Sequence, residues 1–169
     1  MEITRDARFK SIALRLGYEI ETEFTTAGSY VPAVQHNGIA HVSGQIPLRS
    51  NGRVVVGRVG EEVSLNEAYV AAQLCALRSL AVVRSLYGSL NSVATILRLG
   101  VYVRCGPSFG EISKVANGSS DVLAEIFQEA GIHARTSVGV DRLPRESVVE
   151  VELSVGLNPG VTMSLTGSS

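Results

Sequence analysis

Residues 148–155 read VVEVELSV, and this alternation of apolar and polar side chains constrains the fold more than any other feature of the sequence. In a β-strand successive side chains point to opposite faces, so Val149 and Val151 face one way while Glu150 and Glu152 face the other. A strand of this kind needs an apolar layer against its valine face. The sequence therefore predicts a sheet that is covered on one face by helices.

Two segments carry the helical signals that such a layer requires. Ser64 and Glu67 stand three residues apart as a capping box, and Gly88 is placed to end the long helix that follows. Residues 109–131 are expected to form a second helix. A shorter helix is expected at the start of the chain, where Gly17 can end it in a left-handed conformation.

Strand-like runs occupy most of the remaining chain, and turn residues separate them. The strands are expected at residues 38–48, 53–60, 95–105, 134–144 and 148–155. The first two are predicted to be joined by the turn pair Asn51-Gly52, and the last two to form a final antiparallel pair. Together with the helices, this order indicates a single α+β domain in which two helices cover one face of one sheet.

Composition narrows the classes of function. A chain of 169 residues with 45% hydrophobic residues is long enough for one ordinary core. Its 15 basic and 16 acidic residues are mixed along the chain, so nucleic acid is not favoured as a partner. Charges interrupt the opening segment, no stretch approaches transmembrane length, and the two cysteines are too few for a disulfide framework. We therefore expect a cytoplasmic protein without a membrane partner.

The two C-terminal strands also place charged residues close together. If they pair as an antiparallel hairpin, Val138 joins the core, and Arg135 and Ser137 share the second face with Glu150. Arg135 then lies at least one same-face step, roughly 7 Å, from Glu150, which leaves room for a small ligand between them. The alternative is a solvent-facing sheet with scattered charges.

Residues 28–157 resemble the RidA/YjgF family, whose members have often been labelled "endoribonuclease L-PSP". The resemblance rests on GSYVPAV, VSGQIPL, KVANGSSDVLAEIF and ARTSVGVDRLPRESVVEVEL. The last stretch is the most specific, because its arginine, its LP and its EVE stand in the family's order and spacing. The sequence is most similar to a branch with a longer N-terminal helix and the phrase VANGASDLL.

The resemblance implies a chorismate-mutase-like α+β fold with a mixed sheet, assembled as a homotrimer with three sites in the clefts between subunits. Residues 1–27 would form an N-terminal helical extension, residues 28–157 the RidA-like domain, and residues 158–169 a mobile tail. The small polar composition of that tail agrees with this division.

Archetypal members of the family hydrolyse imines or enamines, releasing ammonia and a 2-oxo acid. By resemblance, Arg135 would hold the carboxylate of a small metabolite and Glu150 would activate water. The substrate-binding residues implied are Tyr30, Ser43, Gly44, Asn117 and Ser137. Neither a metal nor another cofactor is implied, because an imine carbon is already electrophilic and water needs only orientation and a proton acceptor.

Some features depart from the family or stay open. Many members have a cysteine where this chain has Ser137, which leaves the substrate open. Asn117-Gly118 is locally unfavourable in a helix, so it marks either a functional position or a helix that starts near Ser119 or Ser120.

Three functions remain: an imine or enamine deaminase, a non-catalytic trimeric binder of carboxylate metabolites, and a purely structural trimer. Ribonuclease activity is less favoured, because the formal charge of -1 and the 5% aromatic content provide few phosphate contacts and stacking surfaces. His36, His41 and His133 lack a metal-ligand spacing and are expected to be ordinary polar or core residues.

Overall fold

A computed structural model describes residues 3–49 and 51–163 of the chain. In chain order its helices and strands are α1 (Arg5–Arg15), β1 (Ala33–His36), β2 (Ile39–Gln45), α2 (Leu65–Tyr87), β3 (Val93–Arg104), α3 (Ile112–Phe127), β4 (Ala134–Val140) and β5 (Val149–Leu157). The strands form one sheet in the order β1-β2-β5-β3-β4.

The sheet is mixed because of how its strands are connected. A helix links β2 to β3 and another links β3 to β4, and each such crossover returns the chain in its original direction. β4 therefore pairs parallel with β3, while β5 runs antiparallel between β2 and β3. Both helices pack on the face that buries Val149 and Val151. The predicted α+β fold, with two helices on one face of a mixed sheet, is confirmed.

The long helix α2 begins and ends as predicted. The Ser64 hydroxyl accepts a hydrogen bond from the Glu67 N–H, and the Glu67 carboxylate accepts one from the Ser64 N–H at 2.9 Å. Gly88 follows the helix with a φ of 78°. Contrary to the expectation from sequence, α2 is long and apolar enough to cross a membrane, but 61% of its apolar window is buried in the core, as in the central helix of a globular domain.

The other covering helix, α3, runs without interruption through Asn117-Gly118, so the alternative start near Ser119 or Ser120 is wrong. A Cβ at Gly118 would lie 2.2 Å from the backbone oxygen of Tyr69 in α2. Glycine is therefore needed here because two helix backbones approach closely. The hydroxyl of Ser119 strengthens the same contact by donating to the Ala72 carbonyl at 2.7 Å.

Substitution Gly118→Ala is expected to destabilise the fold, although alanine is the better helix former. The added carbon meets a helix carbonyl that cannot rotate away, so a net loss of about 1–2 kcal/mol in the free energy of unfolding is expected. Gly110→Ala is the matched control, since a Cβ at Gly110 meets nothing within 4 Å. Urea unfolding at equal protein concentration measures both variants, and equal midpoints would contradict this account of the helix contact.

The first hairpin differs from its prediction. β1 and β2 are joined at Asn37-Gly38, where φ is 47° and 75°, as in a type I′ turn. The predicted turn at Asn51-Gly52 is present, because Gly52 has a φ of 75° and Leu48 makes an antiparallel bridge with Val54. Residues 53–60, expected as a strand, make only isolated bridges. Gly57 and Gly60 interrupt that segment with φ values of 121° and 85°, which a regular strand does not adopt. The valines of residues 53–60 are therefore not enough to form a strand.

The last two strands do not form a hairpin, and that prediction is wrong. β4 lies at the sheet edge beside β3, where Arg135 is in register with Leu99 and Val138 with Tyr102. Leu99 is buried under the helices, so Arg135 and Ser137 face the helices rather than the glutamates. Val138 lies on the opposite, open face of the sheet and is 40% exposed.

Both ends of the described chain are held to the domain. The helix α1 packs on α3, where Arg15 and Glu125 form an ion pair of 2.7 Å. After β5, the Gln35 side chain donates to the Val161 carbonyl at 2.8 Å and accepts from the Met163 N–H at 2.9 Å. The remaining residues of the predicted tail lie outside the described residues.

Candidate functional site

Arg135 lies in a polar cluster between β4 and α3, which we call the arginine cluster (Arg135, Asn117, Ser120 and Ser113). Its Nη1 atom donates to Asn117 Oδ1 and to Ser120 Oγ, both at 2.9 Å. Its Nη2 atom lies 3.5 Å from the Ser113 carbonyl oxygen. Both Nη1 hydrogens are therefore used by the protein. Apart from this long hydrogen bond of Nη2, the edge formed by Nε and Nη2 makes no hydrogen bond among the described residues, and it can meet a carboxylate with two hydrogen bonds.

The helical repeat explains how this cluster forms. Asn117 and Ser120 are three residues apart in α3 and therefore project from the same side of the helix, toward β4. Alternation along β4 puts Ser137 on the same face as Arg135. The structure thus brings together two of the predicted site residues, Arg135 and Asn117, and places Ser137 on the same strand face two residues along β4. The sequence patterns did not assign Ser113 or Ser120 to this cluster, although the spacing of Ser120 from Asn117 was a usable signal.

Glu150 belongs to a second group, which we call the glutamate cluster (Glu150, Gly44, Ser43 and Tyr30). Val42 pairs with Leu153 and Gln45 with Val151, so two residues of β2 oppose one residue of β5. This arrangement is a β-bulge at Ser43-Gly44. A Cβ at Gly44 would lie 2.0 Å from Glu150 Oε1. A side chain here would displace the carboxylate from this position, so glycine lets Glu150 lie over the bulge.

The rest of this cluster is positioned by the irregular segment that leads into β1. Ser43 Oγ donates to the Val31 carbonyl at 2.7 Å, which ties the bulge to the segment next to Tyr30. Tyr30 is 53% exposed in the single chain. Tyr30, Ser43, Gly44 and Glu150, all predicted from sequence, thus lie in one region of the molecule.

The electrostatics of Glu150 differ from those of an exposed carboxylate. Burial raises the pKa of the Glu150 carboxyl above its ordinary value, and the negative charge of Glu152 raises it further. Glu152 in turn accepts a hydrogen bond from the Tyr102 hydroxyl at 3.2 Å on the same open face. A raised pKa makes Glu150 a stronger proton acceptor when it is ionised, which suits a group that activates water.

The two clusters do not meet within one chain. Arg135 is level with Leu99 and faces the helices, whereas Glu150 is level with Tyr102 and faces the open side. Two strand spacings and three residues along the strands separate their Cα atoms by roughly 14 Å, with the sheet between the side chains. The expectation that both share one face is wrong. A single small ligand cannot contact both groups in one subunit.

Other features of the described residues lie apart from these clusters. No group of three or more His, Cys, Asp or Glu side chains among them could hold a metal ion. Cys75 is fully buried, and that burial raises the pKa of its thiol well above the ordinary value. A cavity of about 170 Å³, lined by Tyr18, Glu21, Arg49 and neighbouring residues, contains no member of either cluster.

The sequence is similar to that of known proteins over almost its whole length. Residues 10–157 match a family model described as "YjgF/chorismate mutase-like, putative endoribonuclease". The Trypanosoma cruzi protein TCP17 is 36% identical over 159 residues, which cover 94% of this chain and 99% of TCP17. Both matches include the segments that carry the arginine and glutamate clusters.

Solved structures show the same fold. The Agrobacterium tumefaciens protein Atu1372 is 33% identical, with a TM-score of 0.80 and coverage of 91% of this chain and 92% of that protein. A Shewanella oneidensis protein described as a "putative endoribonuclease" is 29% identical, with a TM-score of 0.83 and coverage of 91% and 99%. The chain therefore belongs to the YjgF/chorismate mutase-like family.

Proposed function

We propose that this protein hydrolyses imines or enamines derived from amino acids to 2-oxo acids and ammonia, in clefts between the subunits of a homotrimer. The observation that carries this proposal is the set of hydrogen bonds of Arg135: its Nη1 is held by Asn117 and Ser120, while its Nε–Nη2 edge makes only one long hydrogen bond among the described residues and can still bind a carboxylate. A guanidinium oriented in this way is suited to a substrate with a carboxylate at a fixed position.

The proposed trimer accounts for the separation of the arginine and glutamate clusters, because one subunit can supply each cluster to a shared site. Arg135 and Glu150 face opposite sides of the sheet, so a site that uses both must take them from two copies of the chain. Neither covering helix packs on the open face, which carries Glu150, Glu152 and the partly exposed Val138. Rotational symmetry would bury three such faces and create three equivalent clefts.

The proposed reaction needs only water and proton transfer. Arg135 binds the carboxylate of an imine of the form R–C(=NH)–COO⁻, and Glu150 of a neighbouring subunit takes a proton from water. The water oxygen attacks the imine carbon, and the π electrons of the C=N bond move to nitrogen, which gains a proton. The resulting amino alcohol loses ammonia after a second proton transfer, leaving R–CO–COO⁻. Backbone and hydroxyl groups at Ser43-Gly44 would orient the water.

Non-catalytic binding of a carboxylate metabolite is the alternative supported by the same arginine cluster, because capture needs Arg135 but not a water-activating Glu150. The family description also names an endoribonuclease. A formal charge of -1 with mixed basic and acidic residues gives that activity little electrostatic support.

The direct test supplies the purified protein with imines generated in situ from several amino acids by a flavin-dependent amino acid oxidase. Ammonia release and disappearance of the imine are followed with and without the protein. We expect the protein to accelerate hydrolysis of at least one amino-acid-derived imine. Binding of the matching 2-oxo acid without any acceleration would instead support the carboxylate-binding alternative.

Substitution Glu152→Gln is expected to move the acid limb of the pH–rate profile to lower pH. The charge of Glu152 raises the pKa of Glu150, so its removal lowers that pKa and keeps Glu150 ionised further into the acid range. The pH dependence of kcat/KM for wild type and variant measures the shift. An unchanged acid limb in a folded variant would show that Glu150 is not the titrating base.

A further inference from the structure

The arginine cluster continues beyond Ser120 to a histidine that the proposed reaction does not use. His133 Nε2 lies 3.0 Å from Ser120 Oγ, and His133 Nδ1 lies 2.6 Å from the Gly131 carbonyl oxygen. Ser120 Oγ is in turn 2.9 Å from Arg135 Nη1. An unbroken series of hydrogen bonds therefore runs from the backbone at Gly131 to the guanidinium.

The direction of each hydrogen bond in this series follows from the chemistry of its members. A carbonyl oxygen can only accept, so His133 Nδ1 carries the hydrogen that bonds to Gly131. In the neutral ring Nε2 is then an acceptor, and the hydroxyl hydrogen of Ser120 points toward it. This leaves a lone pair of Ser120 Oγ facing Arg135 Nη1, which can only donate.

We propose that Ser120 and His133 are positioning residues for Arg135, and that the Nδ1–H tautomer of His133 fixes the Ser120 hydroxyl in the orientation that accepts from the guanidinium. The inference rests on the proposed function in so far as Arg135 holds a substrate carboxylate. With both Nη1 hydrogens satisfied by Ser120 and Asn117, rotation of the guanidinium is restricted, and its Nε–Nη2 edge keeps one direction.

The local fold explains why this set can form. His133 and Arg135 are two residues apart in extended chain, so their side chains project to the same side. Ser120 follows Asn117 by three residues in α3, which brings both side chains above Arg135. His133 and Ser120 are half-buried, so their hydrogen bonds are partly protected from competition with water.

The tautomer is tested first, because it does not depend on catalysis. We expect ¹⁵N NMR at neutral or higher pH to show His133 with its hydrogen on Nδ1, whereas the exposed His36 serves as the reference for a ring in solvent. A hydrogen on Nε2 of His133 would overturn the proposal, since the Ser120 hydroxyl would then lack its acceptor.

The coupling between the residues is tested by pyruvate binding, with pyruvate as a non-reactive 2-oxo acid. Ser120→Ala and His133→Phe are each expected to weaken pyruvate binding about fivefold, as for one lost hydrogen bond. The double variant should be no weaker than either single one, because both remove the same series. His133→Gln, whose amide oxygen can replace Nε2 as acceptor, should restore most of the affinity. Independent, multiplying effects would overturn the proposal.

Failure of the proposed function gives a different result. If the wild-type protein binds no pyruvate, Arg135 is not a carboxylate anchor and the proposed function fails. The positioning is then judged from exchange of the Arg135 Nη1 hydrogens, which should be slow in wild type and faster in Ser120→Ala and His133→Phe. Equal exchange in all three would overturn the positioning itself. Alanine is a good helix former, so Ser120→Ala should fold, and its exchange can be compared with that of wild type even if His133→Phe does not fold.

Discussion

Substitution Glu150→Gln is expected to lower kcat for imine hydrolysis by about 10²- to 10⁴-fold, the range that a positioned general base contributes. Glutamine keeps the size of the side chain above Gly44 but cannot accept the proton of water at neutral pH. Affinity for a non-reactive 2-oxo acid should change little, because the carboxylate is held by Arg135 on the other cluster. Rates and binding constants measured on the same preparation give both quantities.

Arg135→Lys is the companion variant and should behave differently. Lysine keeps the charge but loses the planar fork, so it should weaken both 2-oxo acid binding and turnover about 10- to 100-fold, as for loss of a charge-assisted hydrogen bond. Both variants must first have the wild-type oligomeric size by light scattering. Turnover at the parent rate in Arg135→Lys would show that the proposed site is wrong. If the wild-type protein and Glu150→Gln are equally inactive in imine hydrolysis, the binding alternative is favoured.

Local signals predicted the helices well. The capping box at Ser64 and Glu67 and the glycine at position 88 determine α2 through contacts within a few residues. The anomaly at Asn117-Gly118 was also visible in the sequence, and the structure gives each residue its own reason: Gly118 allows close helix packing, and Asn117 holds Arg135. Sequence alone could not separate these reasons, because both depend on elements distant in the chain.

The faces of the last strands could not be predicted in the same way. Alternation shows which residues share a face, but the partner of a strand decides which face meets the helices. The α3 crossover makes β4 a parallel neighbour of β3 and leaves β5 to pair elsewhere. Val138 was assigned to the core because it is apolar, yet in the single chain it is 40% exposed on the open face. Its apolar character agrees with the proposed burial of that face between subunits.

For the candidate site, too, the sequence identified the residues but not how they are arranged in space. Every residue implied by the resemblance except Ser137 lies in one of the two clusters, and Ser137 shares a face of β4 with Arg135. The hairpin expected to bring Arg135 and Glu150 together does not exist. The β-bulge at Ser43-Gly44 was also not predicted, because a bulge is defined by the register of β2 against β5. In the proposed trimer a second copy of the chain joins the clusters.

Mixed oligomers of two inactive variants should regain activity, and this result would be difficult to obtain from a site within one chain. Arg135→Ala and Glu150→Gln are co-expressed with different tags, and oligomers carrying both tags are compared with each variant alone. If every site takes Arg135 from one subunit and Glu150 from its neighbour, about one third of the sites in trimers carrying both tags are complete, because a subunit with intact Arg135 is followed by one with intact Glu150 once around each ring. Sites contained within one chain would all lack one residue, so the mixture would stay as inactive as its parents. Light scattering of the same sample should report a trimer, and an inactive mixed trimer would rule out the shared cleft.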